Sequence, residues 1–139
     1  MGERLAKLLH GGEVIELVSD LGGGKTTFAQ GLARGLGYNA EVTSPTFTLS
    51  RVYALPNGLE LHHYDLYRLG ESGAVGDELA EDLGDAKVIT AIEWAGIVQH
   101  DLPKDRLTIN FEVSGDTQRV LHLTSGGPIS NRLIEGLKA

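Results

Sequence analysis

The sequence predicts an α/β domain built on a mixed central sheet, and three observations predict it. An apolar, β-branched run, Val14-Ile15-Glu16-Leu17-Val18, leads through a glycine-rich loop, Ser19 to Gly24, into an amphipathic helix beginning at Lys25. A second near-continuous apolar strand, Val88-Ile89-Thr90-Ala91-Ile92, ends at Glu93. Two turn signals, Pro56-Asn57-Gly58 and Ser114-Gly115-Asp116-Thr117, join apolar runs on either side of them into hairpins. Strand, loop, helix and further buried strands make the α/β pattern. The hairpins make the sheet mixed rather than purely parallel.

The remaining elements follow in chain order. Residues 3–9 read as a short amphipathic helix with Leu5, Leu8 and Leu9 on one side, ended by Gly11-Gly12. In the helix from Lys25, Phe28, Leu32 and Leu36 fall four apart on one face, and Gly37 closes it as a C-terminal cap. Phe47, Leu49 and Val52 belong to a strand, and Leu61 to Asp65 form its hairpin partner. Asp77 to Leu83 form a short helix ended by Gly84, whose acidic stretch, Asp77, Glu78, Glu81, Asp82 and Asp85, reads as a solvated face. Leu107, Ile109, Phe111 and Val113 alternate with polar neighbours, pair with Val120 to Leu123, and precede a terminal helix over residues 130–138.

Composition narrows the class. With 139 residues, 41% of them hydrophobic, and no linker or repeat, the chain is one domain, residues 1–139, with a proper core. The absence of cysteine excludes a disulfide framework, a thiolate zinc site and a cysteine nucleophile. No apolar run approaches the ~20 residues of a membrane span. Residues 1–12 lack the apolar core of a secretory signal, so the expected location is the cytoplasm. A net charge of −7 and no Lys/Arg cluster argue against direct grip on a phosphate backbone, so any link to RNA runs through a partner.

The chemistry concentrates at Ser19-Asp20-Leu21-Gly22-Gly23-Gly24-Lys25-Thr26. This matches G-x-x-x-x-G-K-[ST] except at its first position, and it lies between a strand and a helix as that motif requires. Gly22, Gly23 and Gly24 let backbone N–H groups approach phosphate, and the helix start adds its positive dipole end. Lys25 supplies charge toward the β and γ phosphates, the Thr26 hydroxyl is placed to ligate Mg²⁺, and Thr27 completes the nucleotide-binding set. Ser19 stands where the usual glycine makes a tight turn and loses freedom at positive φ.

A P-loop also needs a carboxylate near the magnesium at the end of a neighbouring strand. Glu93, at the edge of the sheet facing the loop, and Asp65, at the end of Leu61-His62-His63-Tyr64, fit that need. Thr43, Ser44 and Thr46, around Pro45, form either a switch loop that orders on the γ-phosphate or a hydroxyl-rich turn. Trp94 reads as core or interface. His62 and His63 face opposite sides of a strand, cannot easily share one metal, and read as structural.

The ordered set Asp20 to Phe28, Ser44-Pro45-Thr46-Phe47, Tyr64-Asp65-Leu66-Tyr67-Arg68 and Ile92-Glu93-Trp94 resembles the TsaE family, P-loop ATPases of bacterial tRNA threonylcarbamoyladenosine synthesis. The resemblance implies a sheet of about seven strands, ATP or ADP bound at Gly22 to Thr27, and Mg²⁺ held by Thr26 and Glu93. It implies that Asp65 is the acid needed for hydrolysis, that Ser44 to Phe47 is the switch loop, and that Trp94 lies close to the active site. It further implies action with TsaB and TsaD. TsaD transfers the threonylcarbamoyl group to adenosine 37 of tRNA, and the ATPase resets or regulates the complex between rounds. Ser19 departs from the family pattern, as does the lack of a further N-terminal strand that helps form the base side of the site. Arg119 either lines the site or is an exposed strand arginine, and Arg68 is either an arginine finger or structural.

Two other classes compete. A small P-loop kinase needs an acceptor pocket and an arginine-bearing lid, for which the chain has neither length nor an Arg-rich segment. A non-catalytic nucleotide-binding assembly module predicts binding without turnover. A GTPase is disfavoured because no Asn-Lys-x-Asp motif is present.

Overall fold

The computed structural model describes residues 2–19, 24–39, 50–66, 73–115 and 118–138. Within them a six-stranded sheet runs in the order β2-β3-β4-β1-β5-β6. Its strands are β1 (Val14–Val18), β2 (Ser50–Ala54), β3 (Glu60–Asp65), β4 (Val88–Glu93), β5 (Leu107–Ser114) and β6 (Gln118–Ser125). The four inner strands are parallel neighbours, and antiparallel hairpins add β2 and β6 at the two edges. The sheet is therefore mixed, as the turn signals imply. Six strands stand against the about seven that the resemblance implies, and the expected strand start at Phe47 and Leu49 lies outside the described residues.

The helices are α1 (Gly2–Ala6), α2 (Lys25–Gly35), α3 (Gly73–Leu83) and α4 (Pro128–Lys138), with a 3₁₀ segment over Ala95–Asp101 that the periodicity did not predict. The first helix is shorter than the 3–9 expected, because Leu8 and Leu9 N–H groups bond back to Leu5 and Ala6 carbonyls as tight turns. Gly37, at φ 98°, ends α2 as expected. Tyr38 N–H reaches the Ala33 carbonyl and Gly37 N–H the Arg34 carbonyl, the paired bonds of a left-handed cap.

Strand alternation divides the interior into two layers. On one face Ile15, Leu17, Ile89, Ala91, Leu107 and Ile109 pack with Leu5, Phe28, Leu32 and Leu133 of α1, α2 and α4. There Phe28 meets Phe111 edge-on at 5.6 Å between ring centres. On the other face Val14, Tyr64 and Ile92 pack with Leu79 of α3 and with Val98 and Leu102 after β4. Glu16, buried on this second face, is satisfied by Arg106 Nε at 3.0 Å and Gln99 Nε2 at 2.6 Å. These bonds tie the 3₁₀ segment and the approach to β5 to β1.

The acidic stretch is corrected at one residue. Asp77, Glu78, Glu81 and Asp85 are exposed, but Asp82 is only 9% exposed. Helix α3 begins at Gly73 rather than near Asp77, and three-residue spacing puts Asp82 beside the buried Leu79 on the face that meets the sheet.

Candidate functional site at the carboxyl ends of the inner strands

Leu17, Asp65 and Glu93 are in register at the ends of β1, β3 and β4. This levelled end of a parallel sheet, beside the start of a helix, is where open α/β folds bind ligands. Helix α2 starts there at Lys25, with Gly24 as its N-cap at φ 99°, a left-handed conformation that favours glycine. No side chain caps the helix and no acidic residue lies in its first turn. The first helical bond runs from Phe28 N–H to the Gly24 carbonyl, so the N–H groups ahead of it point out of the helix end. A helix end of this kind favours negative charge.

Lys25 is only 6% exposed. Its Nζ donates to the Ser19 carbonyl at 3.2 Å and lies 4.0 Å from the centre of the Trp94 ring. A cation–π contact of this kind is worth ~0.5–2 kcal/mol, depending on desolvation. Trp94 itself adopts φ 58°, the only non-glycine residue at positive φ among the described residues. For a bulky residue this conformation is strained by about 1–2 kcal/mol. The strain sits where Trp94 leaves β4 and brings its ring over Lys25, so Trp94 belongs to the site rather than to the core alone. Ser19 is not at positive φ. Its backbone therefore carries no left-handed strain, and its carbonyl accepts from Lys25 Nζ.

Glu93 is 3% exposed at the end of an inner strand and is bonded to His63, whose Nε2 lies 2.5 Å from Glu93 Oε2. His63 and Asp65 share a face of β3, and Asp65 is the ladder partner of Glu93. Two carboxylates thus stand level with the end of β1, the strand that leads toward Lys25 at the start of α2. The carboxylate oxygens are hard donors, suited to a cation shared with phosphate oxygens. His62 turns the other way, as alternation requires. Its Nδ1 lies 2.7 Å from Asp82 Oδ2 and its Nε2 3.1 Å from Glu60 Oε1. Tyr64 donates to the same Asp82 oxygen. Burial first, then the bond to and charge of Asp82, push the Tyr64 phenol well above its ordinary range.

A cavity of about 800 Å³ opens beside the start of α2, between α1 and the β5–β6 hairpin. Phe28, Phe111 and Leu121 give it apolar wall, and Glu3, Arg4, Thr27, Gln30 and Arg34 line it with polar groups.

Several predicted residues lie outside the described set: Asp20, Gly22, Gly23, Thr43, Ser44, Thr46 and Arg68. The backbones of Thr26 and Arg119 are described, within α2 and β6, but their side chains are not. Reading the sequence took His63 as structural and did not pair it with Glu93. Had β3 and β4 been set as parallel neighbours, alternation would have put His63 on the face of Glu93.

A family model described as "Threonylcarbamoyl adenosine biosynthesis protein TsaE" matches residues 1–121. A Streptomyces coelicolor protein named tRNA threonylcarbamoyladenosine biosynthesis protein TsaE is 39% identical over 130 residues, 91% of this chain and 88% of that protein. A Bacillus subtilis protein of the same name is 37% identical over 131 residues, 91% of this chain and 78% of the relative. The crystal structure of Bacillus subtilis YdiB superposes with a TM-score of 0.76 at 34% identity, covering 99% of this chain and 84% of that one.

Proposed function

The chain belongs to the TsaE family, and from that premise we propose that it binds ATP with Mg²⁺ and hydrolyses it in support of tRNA threonylcarbamoyladenosine modification. One observation carries the reading. A buried Lys25 opens an uncapped helix at the same sheet end where Glu93 and Asp65 stand in register. Lysine and outward N–H groups supply fixed positive charge for a polyphosphate. Two ladder-paired carboxylates repel each other and gain from a shared cation.

In this reading the loop Gly22 to Thr27 cradles the phosphates, and Lys25 leaves the Ser19 carbonyl and Trp94 ring for the β and γ phosphates. Thr26 and Glu93 hold Mg²⁺, which when bound neutralises charge on those phosphates. Asp65 is the acid required for hydrolysis, and Ser44 and Thr46 form the switch loop. The cavity beside α2 seats the nucleoside; its volume and mixed lining are those of a small-molecule pocket. The partners are TsaB and TsaD in the cytoplasm, and tRNA is reached only through them, in keeping with a net charge of −7.

Phosphate release from ATP, measured with and without the partner proteins, tests the proposal. The expected result is slow turnover alone, faster turnover in the complex, and none for Lys25→Ala. Turnover unchanged by Lys25→Ala in a clean preparation would sink it. Binding without turnover in the full complex would instead favour the non-catalytic module.

A further inference from the structure

Resting on that reading, we infer that His63 is a positioning residue for Glu93: its ring, buried in the sheet, orients the carboxylate toward the cation that accompanies the nucleotide. The inference starts from a contrast inside one dipeptide. Both ring nitrogens of His62 have carboxylate partners. The side chain of His63 is only 1% exposed, and its Nε2 meets Glu93 Oε2 at 2.5 Å. Its Nδ1 is buried with no hydrogen-bond partner among the described residues.

A buried polar atom without a partner costs about 1–3 kcal/mol, and an apolar side chain on this face would avoid that cost. Packing alone therefore does not account for a histidine here. The bond to Glu93 does. A carboxylate oxygen only accepts, so the Nε2 proton lies in this bond and points at Oε2.

The geometry gives that bond a task. Glu93 has a flexible side chain and a ladder partner of like charge, Asp65. Left alone, its carboxylate would rotate away from Asp65. His63 comes from the same strand as Asp65, two residues earlier, and fastens Oε2 from below. Oε1 is then oriented by a rigid element rather than by rotamer chance. Outer partners of this kind typically change metal affinity 10–100-fold when removed.

The test measures the affinity of a non-hydrolysable ATP analogue by calorimetry, in EDTA and again in Mg²⁺. The ratio of the two affinities is the magnesium gain. His63→Leu is expected to match the wild type in EDTA but to lose about tenfold of the magnesium gain. His63→Gln, whose amide nitrogen can take the place of Nε2, is expected to restore it. A His63→Leu chain with the full magnesium gain would overturn the inference. So would an equal loss in EDTA and in Mg²⁺, which would mean that His63 only shapes the pocket. If His63→Leu does not fold, His63→Gln is compared with His63→Asn, whose shorter amide falls short of Glu93; equal gains overturn the inference. A wild-type chain that binds in EDTA but shows no magnesium gain would overturn the assignment of the cation to Glu93 as well. The wild-type titration alone distinguishes that failure from the first.

Discussion

His62 and His63 are neighbours in sequence and opposites in surroundings. On the α3 face, His62, Tyr64, Asp82 and Glu60 form a set in which both histidine nitrogens and the phenol have carboxylate partners. On the α2 face, His63 spends one nitrogen on Glu93 and leaves the other unpartnered among the described residues. Nearby, Trp94 sits in a strained conformation and Lys25 is held against a carbonyl and an aromatic ring. Bonds between buried polar side chains gather on the α3 face. The other face carries local costs that stability alone does not explain, and such costs gather where ligands bind. The α3 face also carries the Glu16–Arg106–Gln99 network, and its one buried side-chain atom without a partner among the described residues is Thr90 Oγ1.

This contrast can be broken from either side. The largest stability effect is expected from Asp82→Ala, which strands buried His62 and Tyr64 together and should cost about 3 kcal/mol. Urea unfolding would measure it, and the folded variant should still bind nucleotide normally. An Asp82→Ala chain as stable as the wild type would show that the α3 face is not the stabilising one. Glu93→Gln should do the reverse. Hydrolysis should drop on the order of a hundredfold, the scale of losing one preorganised electrostatic group, while the urea midpoint moves little. Loss of stability without loss of turnover would place Glu93 in the scaffold.

A smaller effect belongs to α4, remote from both histidines. Asp105 accepts from Ile129 N–H, Ser130 N–H and the Ser130 hydroxyl, capping a helix whose own N-terminal residues, Gly127 and Pro128, cannot. Burial opposes ionisation of Asp105, but these hydrogen bonds outweigh it and hold its carboxyl below the usual range. A depressed carboxylate stabilises the fold above its unfolded pKa, and that contribution disappears as pH falls through the folded value. Asp105→Asn should therefore cost about 1 kcal/mol near neutrality, with the difference from wild type shrinking below about pH 5. A pH-independent difference would assign the effect to packing. The smallest change is spectroscopic. Trp94 is the single tryptophan, so its emission should shift when nucleotide draws Lys25 off the ring, and should stay constant in Lys25→Ala.

Much of this fold was legible locally. The run Val14–Val18, the helix start at Lys25, the Gly37 cap, both hairpins and the strand ending at Glu93 follow from period and turn chemistry, which act within a few residues. What was not legible depends on distant partners. Asp82 meets His62 twenty residues away and Glu93 meets His63 thirty residues away, contacts fixed by strand register and helix orientation. The acidic run looked solvated because charge pattern says nothing about which helix face a sheet will cover. Nothing in the sequence marks Trp94 as left-handed, since no residue preference favours tryptophan there.

The central claim is that the start of α2 binds a nucleoside triphosphate through Lys25. Calorimetric titration of ATP with Mg²⁺ into the chain, beside Lys25→Ala, tests it most directly. The account predicts saturable one-to-one binding by the wild type and none by the variant at the same concentrations. Equal binding by both chains, or no binding by the wild type alone or with its partners, would contradict it.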